Sequence, residues 1–233
     1  LDVRTLPFEF RLFKDIDGLF NLRRQFDSES YFFNTAIAVK RFMHFAEVLN
    51  RSNRFLFGMN YSKQLGEQFL PAIEAFRDKI LGEKYFSDAF VFFYDRPWHE
   101  QFSWKLKRKL RRANSVPEER YLPVPIKTFD EAAKALMCDI FQPLLGDGAR
   151  IVLDQAINPW NVSEIEPFFD DYRCIIVNRD PRDVFVDYKR SKDVVWTLDS
   201  FISNYKDIHI RFLGSVRDPR TISIQFEDFV TKF

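Results

Sequence analysis

Cys174-Ile175-Ile176-Val177-Asn178-Arg179-Asp180-Pro181-Arg182-Asp183-Val184-Phe185-Val186-Asp187-Tyr188-Lys189-Arg190 is the stretch on which the fold turns. Its first four residues are apolar and three of them are β-branched, which predicts a strand buried on both faces. Asp180-Pro181 then reads as a helix N-cap and first helical position, because proline lacks the N–H that would be orphaned there. A helix is expected from there to about residue 190. The strand thus delivers Arg179 to its carboxyl end. There the next helix presents free N–H groups and the positive end of its dipole. A guanidinium at that place suits a bidentate, charge-assisted contact to a phosphate. Asp180 can cap the helix and orient Arg179. The competing outcome is structural only, with Arg179 and Arg182 pairing with Asp180, Asp183 or other surface acids.

Outward from this stretch the second half alternates helix and strand. Asp130 reads as an N-cap, followed by Ala132, Ala135, Leu136, Ile140 and Leu144 at helical spacing, with Gly146 and Gly148 ending that helix. Strands are expected at 150–153 and 221–225. A short helix is expected at 163–169, a longer one at 198–213, and a last one from Glu227. This is the grammar of parallel βαβ units, so the fold class is α/β with a parallel sheet flanked by helices. Sites in such sheets lie at the carboxyl ends of the strands.

The first half is more helical. Leu6, Phe8, Phe10, Leu12 and Phe13 alternate around Glu9 and Arg11, which predicts an extended, half-buried segment. A turn follows at 15–18. Phe33, Ile37, Phe42, Phe45 and Leu49 predict a helix over 30–49. Leu65, Phe69, Ile73, Phe76 and Ile80 predict another over 61–81, with Pro71 as a kink or break. Residues 89–94 form a short apolar run, strand or buried helix, which Asp95-Arg96-Pro97 ends. Residues 104–112 hold Lys105, Lys107, Arg108, Lys109, Arg111 and Arg112, a run that reads as a solvated helix face or a grip for a polyanion. Three prolines and no period make 114–125 a loop. The chain is therefore expected to be a single domain over 1–233, with 30–127 a mainly helical insertion.

Composition bounds the function. A formal net charge of +1 leaves no global field for nucleic acid or an anionic membrane, so no nucleic-acid partner is expected and any anion site must be local. The 28 Phe are expected mainly in the core, and only 7 Gly leave few places for a glycine-rich phosphate loop. Cys138 and Cys174 read as small buried hydrophobes rather than a disulfide or metal pair. No apolar run approaches the roughly 18 residues of a membrane span, and no signal peptide is visible. The expected compartment is the cytoplasm, with a Golgi-lumenal fragment as the alternative. His44, His99 and His209 show no ligand spacing, and no HExxH, CxxC pair or nucleophile elbow occurs, so no metal is expected. Asn161-Val162-Ser163 matches an N-glycosylation acceptor pattern.

Arg-Asp-Pro-Arg-Asp-Val-Phe-Val-Asp-Tyr at 179–188 resembles the segment that binds the 3′-phosphate of the sulfate donor PAPS (3′-phosphoadenosine 5′-phosphosulfate) in sulfotransferases. Three other stretches fit the same family in order and spacing. Ile-Val-Leu-Asp-Gln-Ala-Ile-Asn-Pro at 151–159 is similar to a strand that ends in an acid, a Lys and a nearby Pro, with Gln155 at the Lys position. Residues 196–212 resemble the family's long helix. Ile-Ser-Ile-Gln-Phe-Glu-Asp-Phe-Val at 222–230 resembles its strand ending in an aromatic–Glu–Asp step. The likeness covers residues 150–233 well and the first half weakly. It implies a P-loop-like nucleotide-binding fold, PAPS as donor, and Arg179 on the donor's 3′-phosphate. The family places a Ser on that phosphate eight residues after the first Arg, where this chain has Asp187. A carboxylate about 4 Å from a phosphate oxygen costs several kcal/mol at an effective dielectric near 20. Asp187 must therefore turn away, be neutralised by a cation such as Lys189 or Arg190, or signal altered donor binding.

Glu9-Phe10-Arg11-Leu12-Phe13 resembles the acid–x–His–aromatic–aromatic segment of carbohydrate sulfotransferases, with Arg11 in place of His. The resemblance makes Glu9 the general base on the acceptor hydroxyl. Burial between Phe8 and Phe10 would raise its pKa, as a base needs, and Arg11 would oppose that. The alternative for Glu9 is an exposed acid between core aromatics. The family's Gly- and Ser-rich sulfate loop would precede Leu1 and its carboxyl-terminal Gly-rich loop would follow Phe233. The chain is thus expected to be the middle of a longer enzyme, inactive by itself. The expected activity is sulfuryl transfer to a hydroxyl, with a sugar or polysaccharide as acceptor. The alternatives are another nucleotide-dependent transferase or kinase on the same fold, and a non-catalytic carbohydrate-binding relative.

Overall fold

The computed structural model describes residues 2–27, 32–52, 58–87, 98–110, 118–145, 149–191, 197–215 and 218–232. The expectations for 89–97, for Trp196 and for Gly146 and Gly148 lie outside them. The chain forms two compact units, Leu1–Ala156 and Ile157–Phe233.

The first unit is a helical body with two small strand pairs. Strand β1 (Val3–Thr5) is short and exposed, and it pairs in parallel with β4 (Arg150–Val152). The alternation expected across the first fourteen residues thus ends early. Phe10, Leu12 and Phe13 are fully buried in tight turns, because the next turn folds back under them. Gly18 closes that turn. A Cβ on it would stand 2.7 Å from the carbonyl oxygens of Leu12 and Phe13, so only glycine fits.

Helix α1 (Leu19–Asp27), which its mixed composition hid from the sequence pattern, leads to α2 (Phe32–Asn50). The single helix expected over 61–81 is two, α3 (Tyr61–Leu65) and α4 (Phe69–Ile80). The break belongs to Gly66, whose φ of 102° is costly for any residue with a side chain. Pro71 sits in the first turn of α4, where a missing N–H costs nothing. Phe69, Ala72, Ile73, Phe76 and Ile80 form the buried stripe of α4.

Strand β2 (Leu81–Ser87) follows directly, and after α5 (Trp98–Leu110) comes β3 (Glu118–Pro123), antiparallel to β2. The loop expected over 114–125 is therefore corrected for 118–123. Pairing with β2 satisfies backbone groups that no local period announces. Helix α6 (Ile126–Phe141), with Pro125 at its N-cap position, starts five residues earlier than expected. Asp130 is not its cap. Its carboxylate accepts both arms of Arg23, at 2.7 and 2.8 Å, tying α1 to α6. Phe129, Ala132, Ala133, Leu136, Met137 and Ile140 are buried, and the Phe129 ring lies edge-on to Phe76 at 5.5 Å. Cys138 is exposed, against expectation, because it falls on the outer face of α6; Cys174 is buried.

The second unit opens with a 3-10 helix (Val162–Phe168), then runs β5 (Cys174–Asn178), α7 (Pro181–Ser191), α8 (Leu198–Ser215), β6 (Thr221–Gln225) and α9 (Phe226–Lys232). Strands β5 and β6 are parallel and in register from Cys174↔Thr221 to Asn178↔Gln225. β5, α7, α8 and β6 form one parallel crossover, and the chain is of the α/β class. The described strands make three two-stranded pairs, β1–β4, β2–β3 and β5–β6, rather than the one parallel sheet expected, because β4 pairs with β1 and not with β5 or β6. Burial of β5 on both faces is not met. Cys174 and Ile176 pack with Val162 and Phe212, while Ile175 and Val177 are 65% and 56% exposed. Within this unit the strand is covered on one side only. Asn161 of the glycosylation pattern is also buried, and its Oδ1 accepts the Asn158 N–H at 3.0 Å, which leaves it unsuited to carry a glycan.

Candidate functional site at the carboxyl ends of β5 and β6

Parallel pairing brings both strand ends, and the helices that follow them, to one place. Asn178 Nδ2 donates to Ser223 Oγ at 2.6 Å across the strands. One residue on, the Arg179 guanidinium lies 5.2 Å from the centroid of the Phe226 ring. The Asp180 N–H donates to Glu227 Oε1 at 2.8 Å, and Gln225 Nε2 donates to Glu227 Oε2 at 3.0 Å. Glu227 therefore clamps the two strand-to-helix junctions, and the Asp180 N–H draws its carboxyl below the usual range.

Asp180 caps α7 as expected. Its Oδ1 accepts the Arg182 N–H at 2.8 Å, the second helical position. It does not orient Arg179. The Arg182 side chain folds back on it instead, with Nε 3.0 Å from Oδ1. That guanidinium, helped by the Arg182 N–H, draws the Asp180 carboxyl down to about 2.

Asp187 is neutralised by a cation, but by neither Lys189 nor Arg190. Its carboxylate takes the Nη1 of Arg179 itself, one of the residues expected to share the phosphate. Lys189 lies over the Phe185 ring, 5.5 Å from its centroid. The physical reason is helical spacing: Asp187 is two turns into α7, on the side that faces back toward β5's end. Arg179 Nε is buried and makes no hydrogen bond. The guanidinium thus keeps one buried donor unmatched while Nη1 is held by a carboxylate that is 49% exposed.

Helix α8 supplies a residue that sequence reasoning missed. Tyr205 Oη donates to the Arg179 carbonyl at 3.1 Å. Burial, then the Asp180 and Glu227 carboxylates, push its phenol pKa up, so it stays a donor. Phe201, Tyr205, His209 and Phe212 form a ring ladder along α8, with successive centroids 5.7, 6.4 and 5.7 Å apart. The spacing of those rings was the available signal. Phe201 also meets Phe185 of α7 at 5.1 Å.

Glu9 lies in the first unit. It is half-buried, between Phe8, which stacks on Tyr61 at 4.8 Å, and fully buried Phe10. The backbone after it is pinned. The Phe10 N–H donates to the Asp154 carbonyl at 2.9 Å, and the Arg11 N–H donates to Tyr61 Oη at 3.0 Å. The Arg11 side chain pairs with Asp15 at 2.7 Å. The segment holding Glu9 and the end of β4 are thus joined. Gln155, exposed at the expected Lys position, adopts a left-handed φ of 47°. Among the described residues no group of three or more His, Cys, Asp or Glu could hold a metal ion, and no helix is long and apolar enough to cross a membrane.

Comparison with protein-family models, with curated proteins and with solved structures finds no match for this chain.

Proposed function

We propose that this chain is part of a PAPS-dependent sulfotransferase with a P-loop-like fold, moving a sulfuryl group to a hydroxyl, with a sugar or polysaccharide as acceptor. The observation that carries the proposal is Arg179, held at the carboxyl end of a parallel strand beside the first turn of α7. The Phe226 ring holds the guanidinium from one side. The first-turn N–H groups of α7 do not add to the grip, since Pro181 has none and those of Arg182 and Asp183 are already taken by Asp180. In this reading Arg179 grips the donor's 3′-phosphate and Asp187 swings off as the phosphate arrives. Glu9 takes the proton of the acceptor hydroxyl. Residues of this chain position the donor and shape the field around it, which is the larger part of such a transfer.

The Arg179–Asp187 pair favours a second reading, a non-catalytic carbohydrate-binding relative in which the phosphate receptor is closed by its own carboxylate. Calorimetric titration with PAP, the desulfated donor, against ATP separates the possibilities. PAP binding that is lost in Arg179→Gln supports the donor site. Preference for ATP points to another nucleotide-dependent transferase or kinase, and binding of neither nucleotide leaves the second reading.

A further inference from the structure

Helix α5 (Trp98–Leu110) is displayed rather than buried. Of its described side chains only Gln101 and Trp104 are half-buried; the rest are exposed. Trp98, Phe102, Leu106 and Leu110 recur every four residues and therefore form one stripe. They are 79%, 63%, 46% and 73% exposed. A soluble helix turns its apolar stripe inward. This one turns Gln101 and Trp104 inward and leaves four large apolar side chains in water. At 100° per residue, Lys105 and Lys109 fall along one border of the stripe.

We propose that α5 is a membrane-surface helix that lies in the headgroup layer of an anionic bilayer. Two features choose a lipid surface over a polyanion such as a sulfated glycan or nucleic acid. A polyanion is gripped by cations and needs no Leu106 or Leu110. A bilayer interface takes Trp, Phe and Leu on one face of a helix and Lys or Arg around it. Lysines bordering the stripe can rest their stems on the apolar layer and hold their ammonium groups among phosphates. The helix lies on the membrane and does not span it, since thirteen residues reach only about 20 Å. The net charge of +1 means that this attraction is local to α5. The proposal is independent of the donor site, since it rests on residues of the first unit alone.

The test is sedimentation of the protein with vesicles of phosphatidylcholine, with and without phosphatidylserine. Binding is expected only when phosphatidylserine is present and should weaken as salt rises. Phe102→Ser with Leu106→Ser should bind at least about tenfold more weakly. Lys105→Ala and Lys109→Ala should each lose roughly fivefold. All four sites are exposed, so unchanged circular dichroism is expected to show that the fold survives. Failure of the parent protein to bind overturns the proposal, as does equal binding without phosphatidylserine. Full affinity in the double Ser variant with loss in the Lys variants also overturns it, and would assign α5 to a polyanion instead.

Discussion

Replacing Asp187 by Ser asks whether Arg179 is an anion receptor shut by its own neighbour. An incoming phosphate must displace the Asp187 carboxylate from Nη1 or share the guanidinium with it. Two unit charges about 4 Å apart repel by about 1 kcal/mol at the dielectric of water and by about 4 kcal/mol at an effective dielectric near 20. The Arg179 and Asp187 side chains are 36% and 49% exposed, so screening keeps the effect in the lower part of that span. We expect Asp187→Ser to tighten PAP by about 1–2 kcal/mol, roughly five- to thirtyfold. Adenosine 5′-phosphate, which has no 3′-phosphate, should gain nothing. The fold should lose less than about 1 kcal/mol, because an exposed ion pair contributes little. Calorimetry on both proteins with both nucleotides, at one salt concentration, reads all of this. Equal PAP affinity in the two proteins refutes the reasoning, and so does an equal gain for adenosine 5′-phosphate. A gain that persists in Arg179→Gln/Asp187→Ser would place the phosphate elsewhere.

Acid should loosen the second unit in a defined window. Asp180, Asp218 and Glu227 have folded pKa values below their ordinary 3.8, 3.8 and 4.5, owing first to the Arg182 side chain, the Arg220 side chain and the Asp180 N–H respectively. Depressed carboxyls lend stability above the unfolded pKa and lose it as pH falls through the folded one. Urea midpoints should therefore hold steady above about pH 4.5 and fall toward pH 2, less steeply in Asp180→Asn. Phe212→Ala opens the small core shared with Val162, Cys174 and Ile176 and should cost about 3 kcal/mol in urea unfolding; under about 1 kcal/mol would mean that this core is not what holds β5. Arg23→Ala leaves Asp130 without its bidentate partner and should cost about 1–2 kcal/mol, with Asp130→Asn/Arg23→Ala recovering part of it.

How much of the site was legible depended on how local its physics is. Asp180-Pro181 announced a helix start because capping acts within three residues, and the cap stands where it was expected. The strand at 221–225 and the helix at 198–213 were legible from their runs of apolar and β-branched residues. Glu227 and Tyr205 were not, as site residues. Their partners, the Asp180 N–H and the Arg179 carbonyl, are 47 and 26 residues away in the chain. Asp187 was legible as a problem, since a carboxylate near a phosphate site is costly whatever the fold. Its pairing with Arg179 needed the turn of α7 to be in place.

From its residues alone this protein declared its α/β class, the parallel return of the strand after Cys174–Asn178, and the junction at which Arg179 emerges. Those follow from periodicity and from caps, which are properties of a few neighbouring residues. Tertiary structure decided which groups hold Arg179, that β5 is covered on one face, that 118–123 is a strand, and that the stripe on α5 faces water. Such outcomes depend on what packs or pairs from elsewhere in the chain, and no window of sequence contains that.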